Sequence, residues 1–204
     1  QAEPEDRLGS PGGGGGGGIA TRTFETDQGT IRCLDYGTYY ACLGVPYAAP
    51  PVGDLRFAPP ADPADRGTTV YNATSFRSAC PQNASQFGTA STNEDCLYLN
   101  IYIPKTGTTP FPVMFWIHGG AFIYGSGDNP PYDPQRLLRE GVILVTINYR
   151  LGALGFLPHP ALMAEHGQPG NYGLMDQAKA LEWVQNNIAN FNGDLTNVTI
   201  FGES

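Results

Sequence analysis

The second half of the chain contains four apolar runs with the length of β-strands. The runs at Phe111–Ile117 and 142–147 are almost continuously apolar, which is typical of strands buried on both faces of a sheet. Two further runs, 97–103 and 198–201, are also apolar strand candidates. The pattern predicts the strands of a covered sheet.

Two other segments have the features of helices. Residues 134–140 form a short helix candidate, and Gly141 is a natural stop after it. Residues 172–190 predict a long helix, because apolar residues recur once per turn along it. These positions are Leu174, Ala178, Leu181, Gln185 and Ile188, apolar at all but one point. The alternation of strands and helices predicts an α/β fold.

The four cysteines form an even set that allows three pairings: Cys33, Cys42, Cys80 and Cys96. Strand-like segments on both sides of Gly37 and Thr38 suit a two-residue hairpin loop. Counting outward from this loop places Cys33 opposite Cys42 as a non-hydrogen-bonded pair, where Cα atoms approach to about 4.5 Å and a disulfide fits. The register therefore predicts a Cys33–Cys42 disulfide and leaves Cys80 to pair with Cys96.

Composition and charge exclude several classes of protein. The 204 residues include 11 Lys and Arg against 19 Asp and Glu, a net charge of −8 without a basic cluster, so nucleic acid is not expected as a partner. No apolar run approaches the ~20 residues of a transmembrane helix. No cysteine and histidine spacing suits zinc, and neither a metal nor a cofactor is expected.

The amino-terminal residues 1–18 and the glycosylation sequons bear on organisation and location. Seven consecutive glycines end this segment, which predicts a flexible tail because burial cannot offset its ordering entropy. Gln1 is compatible with a new amino terminus left by signal cleavage. Asn-x-Ser/Thr sequons stand at Asn72, Asn83 and Asn197. With the even cysteines, they favour a secreted, extracellular glycoprotein over a protein of the reducing cytosol.

Two short motifs carry candidate chemistry. The strand at 198–201 runs into Gly202-Glu203-Ser204, half of a nucleophile elbow, in which glycine lets the backbone turn sharply and present the serine hydroxyl above the sheet. The loop His118-Gly119-Gly120-Ala121-Phe122 follows another buried strand, and its small residues let two backbone N–H groups converge as an oxyanion hole requires. Each motif alone is compatible with an ordinary turn, but together they favour a hydrolase.

At this point the sequence resembles the type B carboxylesterases, cholinesterases and fungal lipases of the α/β-hydrolase fold. The resemblance covers about residues 26–204 and rests on five ordered motifs. They are EDCLYLNI at 94–101, HGGAF at 118–122, NYRLG at 148–152, GNYGLMDQ at 170–177 and FGES at 201–204. The implied fold is a mostly parallel central sheet with flanking helices and an N-terminal β-hairpin, of which residues 19–204 form the N-terminal part of a single domain.

The resemblance implies a role for each matching residue. Ser204 is the expected nucleophile, and the N–H groups of Gly120 and Ala121 are expected to hold the oxyanion, with a third donor from the residue after Ser204. Glu203 is expected beside the acyl pocket as a charged neighbour, and His118 is expected to shape the loop. Gly119, Phe122 and Tyr124 are further candidates for lining the substrate pocket.

Chain order places the catalytic base elsewhere. In this fold the order is serine, then acid, then histidine, whereas His118, His159 and His166 all precede Ser204. A C-terminal remainder of the same hydrolase is therefore the expected partner that supplies Glu or Asp and His. Without it, we expect the chain to be nearly inert and its last strand to be prone to aggregate.

Several other residues are interpreted as structural. The pairs Arg56–Glu94 and Arg150–Asp176 are expected as buried ion pairs, and neither Asp95 nor Asp176 is expected to be a catalytic acid. Trp116 and Trp183 are expected in the core.

Three functions remain in competition. The leading hypothesis is a secreted serine carboxylesterase acting on small-molecule carboxylic esters. The alternatives are a lipase or sterol esterase of the same fold and a non-catalytic adhesion or binding module. The loop between Cys80 and Cys96 holds only fifteen residues, too few for a large lid, which favours a soluble-ester esterase over a lipase. Retention of Ser204 and the oxyanion loop argues against a binding module.

Overall fold

The structure is a computed structural model that describes residues 18–128 and 133–204, so the predicted tail lies outside the described residues except for Gly18. The strands are β1 (Thr21–Thr26), β2 (Gly29–Asp35), β3 (Tyr39–Pro46), β4 (Tyr71–Ala73), β5 (Tyr98–Pro104), β6 (Phe111–Ile117), β7 (Ile143–Ile147) and β8 (Gly193–Gly202). The helices are α1 (Pro134–Arg139), α2 (Gly152–Phe156), α3 (Pro160–His166) and α4 (Tyr172–Asn187), with 3₁₀ turns at Gly53–Leu55 and Ile188–Phe191. None of the described helices is long and apolar enough to cross a membrane.

The strands form one mixed sheet in the order β1-β2-β3-β5-β7-β6-β8, and β4 pairs with β2 off this path. Pairing from β1 through β3 and β5 to β7 is antiparallel, whereas β6 pairs in parallel with both β7 and β8. The parallel part contains the near-continuous apolar runs of the sequence. In such a sheet the carboxyl ends of β6, β7 and β8 meet at one edge, where α/β folds place their sites.

Alternate residues of the central strands pack into two clusters, one on each face of the sheet. The larger contains Ile101, Phe115 and Val145, and the smaller contains Tyr102 and Leu144. Both tryptophans belong to these clusters, Trp183 to the larger and Trp116 to the smaller, which confirms their predicted place in the core.

The predicted register of the N-terminal hairpin is confirmed. Leu34 pairs with Ala41, and the Tyr36 amide donates to the Tyr39 carbonyl across the loop at 3.0 Å. The next position outward is the Cys33–Cys42 disulfide, with Cα atoms 4.5 Å apart. The second predicted disulfide, Cys80–Cys96, is also formed.

The apolar stripe predicted for the long helix is not its buried face. Of the marked positions, Leu174, Ala178 and Gln185 are exposed, while Ile188 is buried beyond the end of α4 in the 3₁₀ turn. The face against the sheet carries a different set of residues: Tyr172, Gly173, Asp176, Ala180, Trp183, Val184 and Asn187. This face is hard to recognise in the sequence because it includes the polar residues Asp176 and Asn187. Both can be buried because hydrogen bonds within the fold satisfy their polar groups.

Only one of the two predicted ion pairs is buried. Arg150 and Asp176 have side chains 4% and 0% exposed, and three hydrogen bonds from Arg150 reach the carboxylate. Arg56 and Glu94 do form a two-bond pair, but their side chains are 46% and 21% exposed. The prediction that this second pair is buried is wrong, because Arg56 lies on a segment at the surface. The sequence around Arg56 does not show this.

Four further elements were not predicted from the sequence, namely β1, β4, α2 and α3. In addition, β8 begins at Gly193, five residues before the predicted strand, because a register shift between Phe111 and Val113 of β6 accommodates the polar residues at its start. Within the described part of the chain, β8 pairs only with β6 and leaves Ile200 54% exposed.

Candidate active site

The two candidate motifs lie side by side because their strands are neighbours. Ile117, the last residue of β6, pairs with Gly202, the last residue of β8. Segments more than eighty residues apart in the sequence therefore leave the same edge of the sheet together. A β-carbon at Gly202 would lie 2.6 Å from the Ile117 carbonyl oxygen, so this close approach requires glycine.

Ser204 has a strained backbone conformation. Its φ is +52°, in the left-handed region that residues other than glycine seldom adopt. Such strain clusters at functional sites, and a sharp turn after a strand is the geometry that presents a nucleophilic serine.

The loop after β6 touches the Ser204 segment at Gly119. A β-carbon there would lie 2.3 Å from Glu203 Oε2, 2.7 Å from the Glu203 carbonyl oxygen and 3.3 Å from Ser204 Cβ. Any side chain at Gly119 would therefore separate the loop from the serine.

The same loop has an unusual backbone with three consecutive residues of positive φ: +117° at Gly120, +55° at Ala121 and +61° at Phe122. The Gly120 carbonyl accepts two hydrogen bonds, from the amides of Ile123 and Tyr124, each at 3.0 Å. Among the described residues, no hydrogen bond uses the amides of Gly120 or Ala121. The turn thus leaves two consecutive N–H groups without a partner in the described part of the chain, directly after the Gly119 contact with Ser204. Alanine at 121 costs about 1 kcal/mol relative to glycine.

Groups from distant segments hold the loop in this conformation. Each donates to, or accepts from, the loop backbone. These hydrogen bonds are Tyr149 Oη to the His118 carbonyl (2.9 Å), the Gly152 amide to the Phe122 carbonyl (2.7 Å), the Gly127 amide to Asn148 Oδ1 (2.8 Å), and two between Gln82 and Gly125. The loop is therefore fixed before any ligand binds.

His118 is a buried residue of the loop. Its Nδ1 lies 2.8 Å from the Gly119 carbonyl oxygen, which can only accept, so this nitrogen carries the proton. The ring stacks on Tyr149 with centroids 4.4 Å apart. Burial lowers the pKa of His118 to about 4, which keeps the ring neutral at neutral pH. These contacts place His118 within the scaffold of the loop.

The other two histidines lie outside the cavity beside Ser204. His159 caps α3 by accepting the Ala161 amide at 3.1 Å. His166 lies near the carboxylate of Glu165, with an N–O distance of 3.7 Å. Within residues 18–128 and 133–204, His118 is thus the only histidine that lines this cavity.

A cavity of about 480 Å³ opens at this edge of the sheet. It brings together most of the predicted site residues, namely Gly119, Ala121, Phe122, Glu203 and Ser204, whereas Gly120 and Tyr124 are not among its lining residues. Leu174 and Gln177 from α4 and Tyr149 from the end of β7 also line it. The sequence analysis did not predict that these three residues line the site, although they lie within the motifs at 148–152 and 170–177.

This arrangement defines the class of protein. A serine on a sharp turn at the end of one parallel strand, beside a glycine-rich loop at the end of its neighbour, is the α/β-hydrolase arrangement. The solved structures agree. A structure titled PNB esterase superposes with a TM-score of 0.82 at 42% identity over 90% of this chain and 38% of that chain. A carboxylesterase of Geobacillus stearothermophilus gives 0.79 at 44% identity, over 89% and 37%.

The family model of the carboxylesterase family matches residues 20–204, and the chain belongs to this family. It is 50% identical over 186 residues to a fumonisin B1 esterase of Sphingopyxis macrogoltabida, covering 88% of this chain and 34% of that protein. It is 44% identical to a para-nitrobenzyl esterase of Bacillus subtilis, over 88% and 37%. A cholinesterase of Mus musculus is 45% identical, over 88% and 32%. The chain spans about a third of the length of these relatives.

Proposed function

We propose that this chain carries the nucleophile and the oxyanion hole of a serine esterase that hydrolyses carboxylic esters. The observation that carries the proposal is the contact of Gly119 with Glu203 and Ser204, which joins the glycine-rich loop to a serine in a strained left-handed conformation. Membership of the carboxylesterase family supports the ester as the substrate class.

In the proposed reaction, Ser204 Oγ attacks the ester carbonyl carbon while a general base takes the hydroxyl proton. The N–H groups of Gly120 and Ala121 donate to the resulting oxyanion, whose collapse breaks the C–O bond and forms an acyl-enzyme. The base returns its proton to the departing alkoxide, which leaves as the alcohol. Water, deprotonated by the same base, then attacks the acyl carbon. The bond from this carbon to Ser204 Oγ breaks, the base returns the proton to Oγ, and the carboxylic acid is released.

The general base and its acid are proposed to come from a further segment of the same hydrolase. The three described histidines support this, because His118 is buried in the loop scaffold while His159 and His166 lie away from the cavity. The relatives are about three times as long as this chain, which leaves room for such a segment. The same segment would cover the exposed side of β8 around Ile200.

Glu203 and the disulfide loop refine the proposed substrate class. The Glu203 carboxylate packs against Gly119 within the cavity, where its charge disfavours an anionic acyl group. The Cys80–Cys96 loop is short and carries the exposed Asn83, so it makes a poor apolar lid. We therefore propose small, soluble, neutral esters, for which the hydrolysis rate falls as the acyl chain lengthens.

The surface and the cysteines support a proposed location. All four cysteines are paired in disulfides, which persist in oxidising compartments. The three sequon asparagines, Asn72, Asn83 and Asn197, are all exposed, as glycan attachment requires. These observations support a secreted, extracellular glycoprotein.

Fluorophosphonate labelling of the native full-length protein tests the proposal. The probe phosphonylates only an activated serine, so we expect label on the peptide that contains Ser204 and none on the Ser204→Ala variant. A burst of alcohol from a p-nitrophenyl ester would show the acyl-enzyme. Folded protein without label at Ser204 would overturn the esterase proposal and leave the binding module as the better function.

A further inference from the structure

One side chain connects the Cys80–Cys96 loop to the oxyanion loop. The half-buried amide of Gln82 accepts the Gly125 N–H at Oε1 (2.8 Å) and donates from Nε2 to the Gly125 carbonyl (2.7 Å). Its Nε2 also donates to the Cys80 carbonyl at 3.1 Å. The Gln82 amide thus pairs with both backbone groups of a single residue, as a neighbouring strand would.

Gly125 packs directly against the start of the oxyanion loop at His118 and Gly119. Its φ is +114°, and a β-carbon there would lie 2.0 Å from His118 Nδ1 and 2.5 Å from the Gly119 carbonyl oxygen. The Tyr124 carbonyl, which precedes Gly125, packs against Gly120. A β-carbon at Gly120 would lie 2.3 Å from the Tyr124 carbonyl oxygen. A displacement of Gly125 would therefore move the backbone that presents the Gly120 and Ala121 amides.

The Cys80–Cys96 loop in turn holds Gln82 in place. Its backbone forms a two-bond bridge to Ser91, with N–O distances of 2.9 and 3.0 Å. The disulfide starts two residues before Gln82 and closes the loop. Gly88 leaves the space that the amide occupies, since a β-carbon there would lie 2.5 Å from Gln82 Oε1 and 3.1 Å from the Gly125 carbonyl carbon.

We propose that Gln82 is a positioning residue for the oxyanion hole, through which the Cys80–Cys96 loop sets the orientation of the Gly120 and Ala121 amides. The inference rests on the proposed function, because an orientation of amides matters to the rate only if an oxyanion forms there. Gln82 is not among the residues that line the cavity beside Ser204. Its effect should therefore appear in kcat, where oxyanion stabilisation acts, more than in KM.

The first test compares Gln82→Ala with Gln185→Ala in the full-length enzyme. Gln185 is a matched control, since its exposed amide also donates to a backbone carbonyl, that of Leu195 at 3.0 Å, away from the cavity. We expect Gln82→Ala to lower kcat about 10- to 100-fold, less than the loss of an oxyanion donor itself, with KM and Tm nearly unchanged. Gln185→Ala should leave kcat unchanged.

The second test uses the isosteric variant Gln82→Glu. The carboxylate can accept from the Gly125 amide but repels its carbonyl. The protonated acid can again accept from the amide and donate to the Gly125 carbonyl, and it lacks only the second donor that glutamine gives to the Cys80 carbonyl. The ratio of variant to wild-type kcat/KM should therefore rise as pH falls toward the carboxyl pKa, about 4.3 in an unperturbed glutamate. A merely structural role would give a ratio that does not change with pH.

Two outcomes separate this inference from the proposed function. If the wild type shows no labelling of Ser204, the esterase proposal falls and this inference falls with it. If the wild type is active while the Gln82 variants keep the wild-type kcat, only the inference is overturned. Hydrogen exchange of the peptide at 118–127 gives a readout without activity: exchange should quicken in Gln82→Ala and not in Gln185→Ala, and equal exchange would contradict the inference.

Discussion

The hairpin loop at Gly37 and the oxyanion loop both contain glycine at positive φ, but they are held in different ways. At the hairpin, the Gly37 amide donates to Asp35 Oδ1 at 2.8 Å, and no atom lies within 4 Å of a β-carbon at Gly37. Its conformation depends on its own flanking residues. The oxyanion loop is instead held by partners from four distant positions: Gln82, Asn148, Tyr149 and Gly152. A loop held by local bonds tolerates change at its tip, whereas a loop held from several sides should not.

The largest difference should appear when alanine replaces glycine in each loop. Gly125→Ala places a methyl group onto His118 and the Gly119 carbonyl, so we expect a loss of about 2–4 kcal/mol in unfolding free energy from overpacking and left-handed strain. The displaced loop should lower kcat/KM by at least about 100-fold. Gly37→Ala meets no atom and should cost only about 1 kcal/mol. Urea unfolding and ester hydrolysis measure both effects, and equal activities in the two variants would contradict the comparison.

Removing each disulfide should separate stability from activity. The bonded cysteines are 9 residues apart in the hairpin and 16 apart in the loop that carries Gln82. By loop-closure entropy, both bonds contribute about 3 kcal/mol. We expect similar losses of Tm for Cys33→Ala/Cys42→Ala and Cys80→Ala/Cys96→Ala, but a fall in kcat, about tenfold or more, only in the second variant. A comparable fall in kcat in both would show that global destabilisation is the cause.

The pH dependence of stability should differ more modestly between the two loops. Burial holds the pKa of His118 at about 4 in the folded protein, below the ordinary 6.5, so the unfolded chain binds more protons between these values. The stabilisation that depends on a neutral His118 is fully present above pH 6.5. As pH falls toward 4, the free energy of unfolding decreases by at most about 3 kcal/mol. His118→Gln should flatten this part of the curve of unfolding free energy against pH.

The hairpin responds at lower pH. Asp35 in the hairpin accepts a hydrogen bond from Lys105, which lowers the pKa of this carboxyl below 3.8. The contribution of Asp35 to the free energy of unfolding is therefore present above pH 3.8 and is lost at more acid pH. Asp35→Asn should therefore leave the curve between pH 4 and 6.5 unchanged and serves as the control. An unchanged curve in His118→Gln would show that the ring is not the titrating group.

The parts of the fold that the sequence predicted well depend on neighbours along the chain. The register of the Cys33–Cys42 hairpin follows from a two-residue loop and the two-residue period of a strand. The apolar runs of β6 and β7 identify buried strands, because Thr146 is the single polar residue that interrupts them. Ser204 and the loop at 118–122 could be placed at one edge because each follows an apolar run of strand length, and the family resemblance supplied their roles.

The predictions that went wrong concern groups whose polarity or burial depends on distant partners. The buried face of α4 was missed because Asp176 is buried only with Arg150, from another part of the chain. Arg56 and Glu94 form the expected ion pair, but the sequence does not show whether the two segments that carry them meet in the core or at the surface. In the structure they meet at the surface. Leu174 and Gln177 face the cavity because of how α4 lies beside β8, which periodicity cannot reveal.

The sequence by itself determined the class of sheet, the hairpin with its disulfide, the candidate nucleophile and the glycines that the turns require, because these depend on short-range sterics and on the period of apolar residues. Only the tertiary structure decided which ion pair is buried, which face of α4 meets the sheet and how Gln82 holds the oxyanion loop. Those features depend on hydrogen bonds and desolvation between segments that meet only when the chain folds, and no local pattern encodes them.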